Sequence, residues 1–118
     1  QLSDVVSIHV IKTKETENLI SKEKLDLLKD NSIVVNTSRG NVIDEDYLIE
    51  LLKSKRIFGV GLDVYSNEPP INTDAYLDIN LTTTPHIGAS TFEAQLKAGM
   101  DTVANIKKIL SGDKSVEI

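Results

Sequence analysis

The run Ser32-Ile33-Val34-Val35-Asn36-Thr37-Ser38-Arg39-Gly40-Asn41 begins as a short β-branched apolar stretch and ends as a polar loop. Such a stretch reads as a strand buried on both faces, the kind found in parallel sheets. Asp44 follows as an N-cap, and a helix is predicted to about Lys53 with Tyr47, Leu48, Leu51 and Leu52 facing inward. The same pattern recurs to either side. Upstream, Asp4-Val5-Val6-Ser7-Ile8-His9-Val10 reads as a buried strand, and Ser21 starts a short helix to about Lys29 with Leu25 and Leu28 on one side. Downstream, Phe58-Gly59-Val60-Gly61-Leu62-Asp63-Val64 is a third strand whose glycines predict a closely passing backbone.

An irregular stretch from Tyr65 to Asn80 carries Glu68-Pro69-Pro70, where proline opposes regular structure. Leu81-Thr82-Thr83-Thr84 is a fourth strand, ended by Pro85. Ser90-Thr91-Phe92-Glu93 fits a capping box. The helix after it runs to about Leu110, with Phe92, Leu96, Met100, Val103, Ile106 and Leu110 at steps of three or four, as a packing face requires, and Ser111-Gly112 stops it. Strands alternating with helices predict βαβ units and a parallel sheet, an α/β fold with flanking helices and a long C-terminal helix.

The composition is that of an ordinary globular chain: 118 residues, 40% hydrophobic and 26% charged. A net charge of −5 with no basic block argues against nucleic acid as a partner. There is no cysteine, so disulfides and thiolate metal sites are excluded, and a reducing cytoplasm is the expected setting. No apolar run reaches the ~20 residues that span a bilayer. The start at Gln1-Leu2-Ser3-Asp4, with neither initiator Met nor signal peptide, reads as the middle of a longer sequence.

In a parallel sheet, ligands bind at the carboxyl ends of the strands. The unusual polar residues cluster there: His9 and Thr13 after the first strand, Thr37, Ser38 and Arg39 after the second, Asp63 and Glu68 after the third, His86 after the fourth. An arginine, a carboxylate and an imidazole suit hydride transfer at a carbon bearing a hydroxyl and a carboxylate. Arg39 would hold the carboxylate by two parallel hydrogen bonds, His86 would take the hydroxyl proton, and Glu68 would orient the imidazole and stabilise its charged form. Side chains cannot accept a hydride, so a cofactor is required. His9 reads as a strand-end residue offering backbone contacts, and no His, Glu or Cys spacing supports a metal site.

Three motifs in order carry a resemblance over nearly the whole chain. Val35-Asn36-Thr37-Ser38-Arg39-Gly40 with Val42-Ile43-Asp44-Glu45, Gly61-Leu62-Asp63-Val64-Tyr65-Ser66-Asn67-Glu68-Pro69, and Thr84-Pro85-His86-Ile87-Gly88-Ala89-Ser90-Thr91 resemble the arginine, glutamate and histidine motifs of the D-isomer-specific 2-hydroxyacid dehydrogenases. Ser3 to Val10 resembles the strand before the adenine pocket, although Ile11 stands where the family usually has proline. The last motif, with Glu93-Ala94-Gln95, is more similar to the branch acting on 3-phosphoglycerate than to the glyoxylate and hydroxypyruvate reductases.

The resemblance implies a catalytic set of Arg39, Glu68 and His86 and the cofactor NAD. It implies cofactor contacts from Val10, Thr13, Thr37, Ser38, Arg39, Asp63, His86, Ile87, Gly88 and Ala89, with Asp63 taking the nicotinamide carboxamide. The expected fold is half of a doubly wound Rossmann sheet over residues 1–90, with a returning helix and tail over 91–118. The Gly-x-Gly-x-x-Gly turn and most of a substrate domain are expected before Gln1, so the chain alone is expected to be inactive. A homo-oligomer is expected, through the open edge at Asp4 to Val10 or the apolar face of the last helix. A nucleotide-sensing protein without turnover is the alternative, against which the intact Arg39, Glu68 and His86 argue.

Overall fold

A computed structural model describes residues 2–70, 73–113 and 115. In chain order the elements are β1 (Val5–Ile8), α1 (Lys22–Leu25), β2 (Ile33–Asn36), α2 (Glu45–Lys53), β3 (Gly59–Leu62), a 3-10 turn (Thr73–Tyr76), β4 (Leu81–Thr83) and α3 (Phe92–Leu110). The four strands form one sheet in the order β1-β2-β3-β4, parallel throughout. The chain divides into two compact units, residues 1–86 and 87–118.

In the first unit, the core lies between the sheet and α2. Leu48, Leu51 and Leu52 of α2 pack with Val34, Val60 and Leu62 of the strands and with Leu25 and Ile57. Fully burying a leucine such as Leu48 contributes about 1.5–3 kcal/mol. Asp44 caps α2 by accepting a hydrogen bond from the Tyr47 amide at 3.1 Å. Tyr47 is only half-buried; its ring carries the Lys22 ammonium 4.4 Å from the centroid, and its hydroxyl donates to Asp26.

Several expectations are corrected. The first strand is largely exposed rather than buried: only Ile8 is buried and Val5 keeps 56% exposure. Its open edge is the one expected at Asp4 to Val10: among the described residues it pairs with β2 alone. α1 is a single turn, and the Ser21 hydroxyl donates to Glu23 instead of capping the backbone. Of the β3 glycines, Gly59 faces the Asn80 side chain and carbonyl, whereas Gly61 meets the Val35 side chain and no backbone. The stretch between β3 and β4 contains the 3-10 turn, which the prolines precede.

In the second unit, α3 is capped by Thr91 and not by Ser90. The Thr91 hydroxyl accepts from the Ala94 amide at 3.1 Å, while the Ser90 amide closes a turn onto the Ile87 carbonyl. Gly112 ends the helix in the left-handed region, with φ of 78°. The packing role expected of α3 is not met within this structure, since none of its residues is buried. No helix among the described residues is long and apolar enough to cross a membrane.

Candidate active site

Because the sheet is parallel, the carboxyl ends of all its strands share one edge, and the loops there converge. The loop after β2 is built by Asn36, which is 1% exposed. Its Oδ1 accepts from the Ser38 amide at 3.1 Å and from the Ser38 hydroxyl at 2.8 Å, and its Nδ2 donates to the Arg39 carbonyl at 3.1 Å. A polar side chain in a buried strand end is stable when its groups are paired in this way. The exposed Arg39 guanidinium donates to the Ser38 carbonyl at 2.7 Å. Asn41, with φ of 59°, then turns the chain toward α2, a conformation asparagine tolerates better than most residues.

The loop after β3 brings Glu68 back to the sheet edge. Glu68 Oε1 accepts from the Tyr65 amide at 3.1 Å, and Oε2 lies 2.7 Å from Nδ1 of His86. The hydrogen bond from His86 is the main reason the Glu68 carboxyl sits below its ordinary range; the Tyr65 amide adds to it, and the charges of His86 and Arg39 act in the same direction. The Arg39 charge thus favours the ionised form of Glu68. His86 has φ of 54°. Left-handed backbone at a non-glycine residue costs on the order of 1–3 kcal/mol and concentrates where side chains must be aimed. The His86 and Glu68 side chains remain 42% and 38% exposed, which leaves the pair open to a ligand.

Asp63 is 5% exposed, and its Oδ1 accepts from the Thr84 hydroxyl. The buried Tyr65 anchors the same region from below: its hydroxyl donates to the Thr84 carbonyl at 2.8 Å, and its ring stacks on Tyr76 with centroids 6.5 Å apart. Burial pushes the Tyr65 phenol above its usual range.

An open cleft of about 420 Å³ lies between His9, Val10 and Ile11 on one side and Thr37, Ser38 and Arg39 on the other. Lys12 adds a second cation to its lining. Two cations, two hydroxyls and an aliphatic wall fit part of an anionic dinucleotide. Thr13 is not in that lining; its hydroxyl accepts from the amides of Glu15 and Thr16 and shapes the turn after β1. Ser7 and His9 contact each other at 2.7 Å. A larger concavity of about 790 Å³ holds none of the predicted residues. Its carboxylates, among them Glu17, Asp46 and Glu50, repel a polyanion. Ile87, Gly88 and Ala89 belong to the second unit, where the Ala89 carbonyl accepts from the Gln95 side chain at 3.3 Å. No group of three or more potential metal ligands occurs among the described residues.

The supporting residues Asn36, Tyr65, Thr84 and Glu45 were not singled out from the sequence. For Asn36 and Thr84 a signal existed, since each is a polar residue at the end of an apolar strand. Tyr65 and Glu45 lie inside the motifs that carry the resemblance, but nothing in the sequence names their partners, which the tertiary fold sets.

The family described as D-isomer specific 2-hydroxyacid dehydrogenase, NAD binding domain, matches residues 1–88. Among similar proteins, a D-3-phosphoglycerate dehydrogenase of Archaeoglobus fulgidus is 45% identical over 111 residues, covering 93% of this chain and 21% of that protein. A hydroxypyruvate reductase of Thermotoga maritima is 45% identical over 114 residues, covering 92% of this chain and 36% of that protein. The structure of an Aquifex aeolicus D-lactate dehydrogenase complexed with NAD and lactic acid superposes with a TM-score of 0.83 at 31% identity, over 94% of this chain and 38% of that one. The chain therefore spans between about a fifth and two fifths of the length of these proteins.

Proposed function

We propose, from the premise that this chain belongs to the D-isomer specific 2-hydroxyacid dehydrogenase family, that it is the catalytic half of the nicotinamide-binding domain of an NAD-dependent D-2-hydroxyacid dehydrogenase. The observation that carries the reading is the 2.7 Å contact of His86 Nδ1 with Glu68 Oε2, on the sheet edge where the Arg39 charge also acts.

Arg39 binds the substrate carboxylate and polarises the adjacent oxygen. Glu68 holds Nδ1 of the imidazole, which leaves Nε2 to take the hydroxyl proton during oxidation and return it during reduction. Glu68 stabilises the imidazolium so formed. NAD, when bound, supplies the hydride acceptor. Val10, Thr37, Ser38 and Arg39 line the cleft that would hold part of it; the family resemblance assigns further contacts to Thr13, Asp63 and His86, and to Ile87, Gly88 and Ala89. The chain contains no Gly-x-Gly-x-x-Gly turn to receive the pyrophosphate, so these 118 residues alone do not turn over.

Within the family the preferred substrate is D-3-phosphoglycerate, supported by the His86 to Gln95 segment. The equally similar hydroxypyruvate reductase keeps reduction of hydroxypyruvate or glyoxylate as the second reading. The protein works on a small hydroxy or oxo acid in the cytoplasm, as a homo-oligomer, with no nucleic acid or membrane involved. The test is NADH formation by the full-length protein with 3-phosphoglycerate, against NADH consumption with glyoxylate and hydroxypyruvate. Activity on the latter pair alone moves the assignment to that branch. Absence of all three activities removes the reading.

A further inference from the structure

Glu45, in the first turn of α2, is far in sequence from the loop that carries Glu68, yet it grips that loop twice. Its Oε2 accepts from the Ser66 amide at 2.7 Å, and its Oε1 accepts from the Tyr76 hydroxyl at 2.9 Å. Burial, and then the hydrogen bond to Glu45, push the Tyr76 phenol up, so it stays a neutral donor. The Ser66 carbonyl accepts from Asn41 Nδ2 at 3.2 Å, and Gly40 lies against the Tyr65–Ser66 peptide with no room for a side chain. The amide one residue earlier, that of Tyr65, is the donor to Glu68.

Two glutamates therefore hold successive amides of one short segment. Glu45 fixes the segment to α2, and Asn41 ties it to the loop after Arg39; Glu68 uses it to aim at His86. The backbone bonds of a sheet or helix do not secure this segment, so the Glu45 carboxylate and its neighbours must. An anion accepting from a backbone amide gives one of the stronger hydrogen bonds available to a loop.

The geometry points to Glu45 as a positioning residue of the reaction: it sets the Glu68 carboxylate in line with His86 by clamping the Ser66 amide and the Tyr76 hydroxyl. This assignment rests on the dehydrogenase reading for its kinetic consequence, and on the hydrogen bonds alone for its structural one.

The test uses the full-length protein with Glu45→Ala, Glu45→Gln, Glu68→Gln and His86→Gln. Glutamine keeps an oxygen acceptor for the Ser66 amide, and alanine keeps none. Glu45→Ala is expected to lower kcat about 10- to 100-fold with little change in KM, the scale set by misplacing a catalytic group by about 1 Å. Glu45→Gln is expected to recover most of the loss. Carbon-13 NMR of labelled glutamate carboxyls, assigned by the signal missing in Glu68→Gln, follows the Glu68 titration without any turnover. In Glu45→Ala it is expected to rise to the ordinary carboxylate range, and in Glu45→Gln to stay low. An unmoved Glu68 titration in Glu45→Ala overturns the inference, whether or not kcat falls, because a loss without that movement is general damage. Wild-type turnover in Glu68→Gln and His86→Gln instead overturns the catalytic roles given to that pair, and absence of turnover in the parent protein overturns the dehydrogenase reading; in both cases the NMR titration still decides the Glu45 contact.

Discussion

Gly40 passes so close to Tyr65 that a Cβ built on it would sit 1.7 Å from the Tyr65 carbonyl oxygen. This contact joins the loop after Arg39 to the loop before Glu68. Residues 25 positions apart thereby share one surface, and the gap admits only hydrogen. Gly40→Ala is expected to force the two loops apart, destabilising the fold by about 1–3 kcal/mol as overpacking does. Urea denaturation measures this. A variant as stable as the parent would show that the loops separate freely.

Asn36 leads to a second prediction. Its removal strands the Ser38 amide and hydroxyl and the Arg39 carbonyl near the buried strand end. Asn36→Ala should lose about 1–3 kcal/mol in stability, the cost of leaving buried polar groups unpaired. In the full-length protein kcat/KM should fall as well, because the Arg39 loop loses its template. Unchanged kinetics would mean that the guanidinium finds its place without Asn36.

Arg39 itself is predicted to resist conservative replacement. Lysine keeps the charge but loses the planar fork that binds a carboxylate by two bonds. Arg39→Lys should cost roughly 1.5–3 kcal/mol in kcat/KM, the range for a charged hydrogen bond. Steady-state kinetics with the 2-hydroxy acid checks this, and near-parental kcat/KM would move the carboxylate elsewhere.

The lowered Glu68 carboxyl makes a pH prediction. In the folded chain, His86 and the Tyr65 amide favour the ionised form, so the folded pKa lies below the ordinary 4.5. The group therefore contributes stability above pH 4.5, and the contribution is lost as pH falls through the folded value. Glu68→Gln should be less stable than the parent near neutral pH and converge with it in acid. The difference is expected to be small, because the side chain is 38% exposed. Denaturant titrations across pH measure it, and a gap independent of pH would contradict the assigned pairing.

α3 carries a prediction about association. Leu96, Met100 and Val103 are 55%, 64% and 52% exposed on a stripe of helical spacing. A stripe of this kind in water favours assembly. Sedimentation should show concentration-dependent oligomers, and Leu96→Lys with Met100→Lys should weaken them. A monodisperse monomer at high concentration would refute this.

Much of the scaffold is legible one residue at a time. The β-branched runs at Val5, Ile33 and Leu81 name the strands, and Asp44 marks the start of α2, because hydrophobic period and cap chemistry are local properties. Ser90 fits the capping-box spacing with Glu93, but two adjacent hydroxyl residues can each serve as N-cap, and with the Ser90 amide turned onto Ile87 it is the Thr91 hydroxyl that takes the Ala94 amide. The burial of β1 was misread because exposure depends on which neighbour lies at an edge.

The amino-acid order alone determined the alternation of strand and helix, and with it a parallel sheet whose carboxyl edge gathers Arg39, Glu68 and His86. Local backbone preference and hydrophobic period carry that much. Only the tertiary structure decided that Glu68 reaches His86 at 2.7 Å, that Glu45 and Tyr76 meet across 31 positions, and that Gly40 must remain a glycine. Those relations depend on how loops of irregular geometry close in space, and no periodicity along the chain encodes a distance between them.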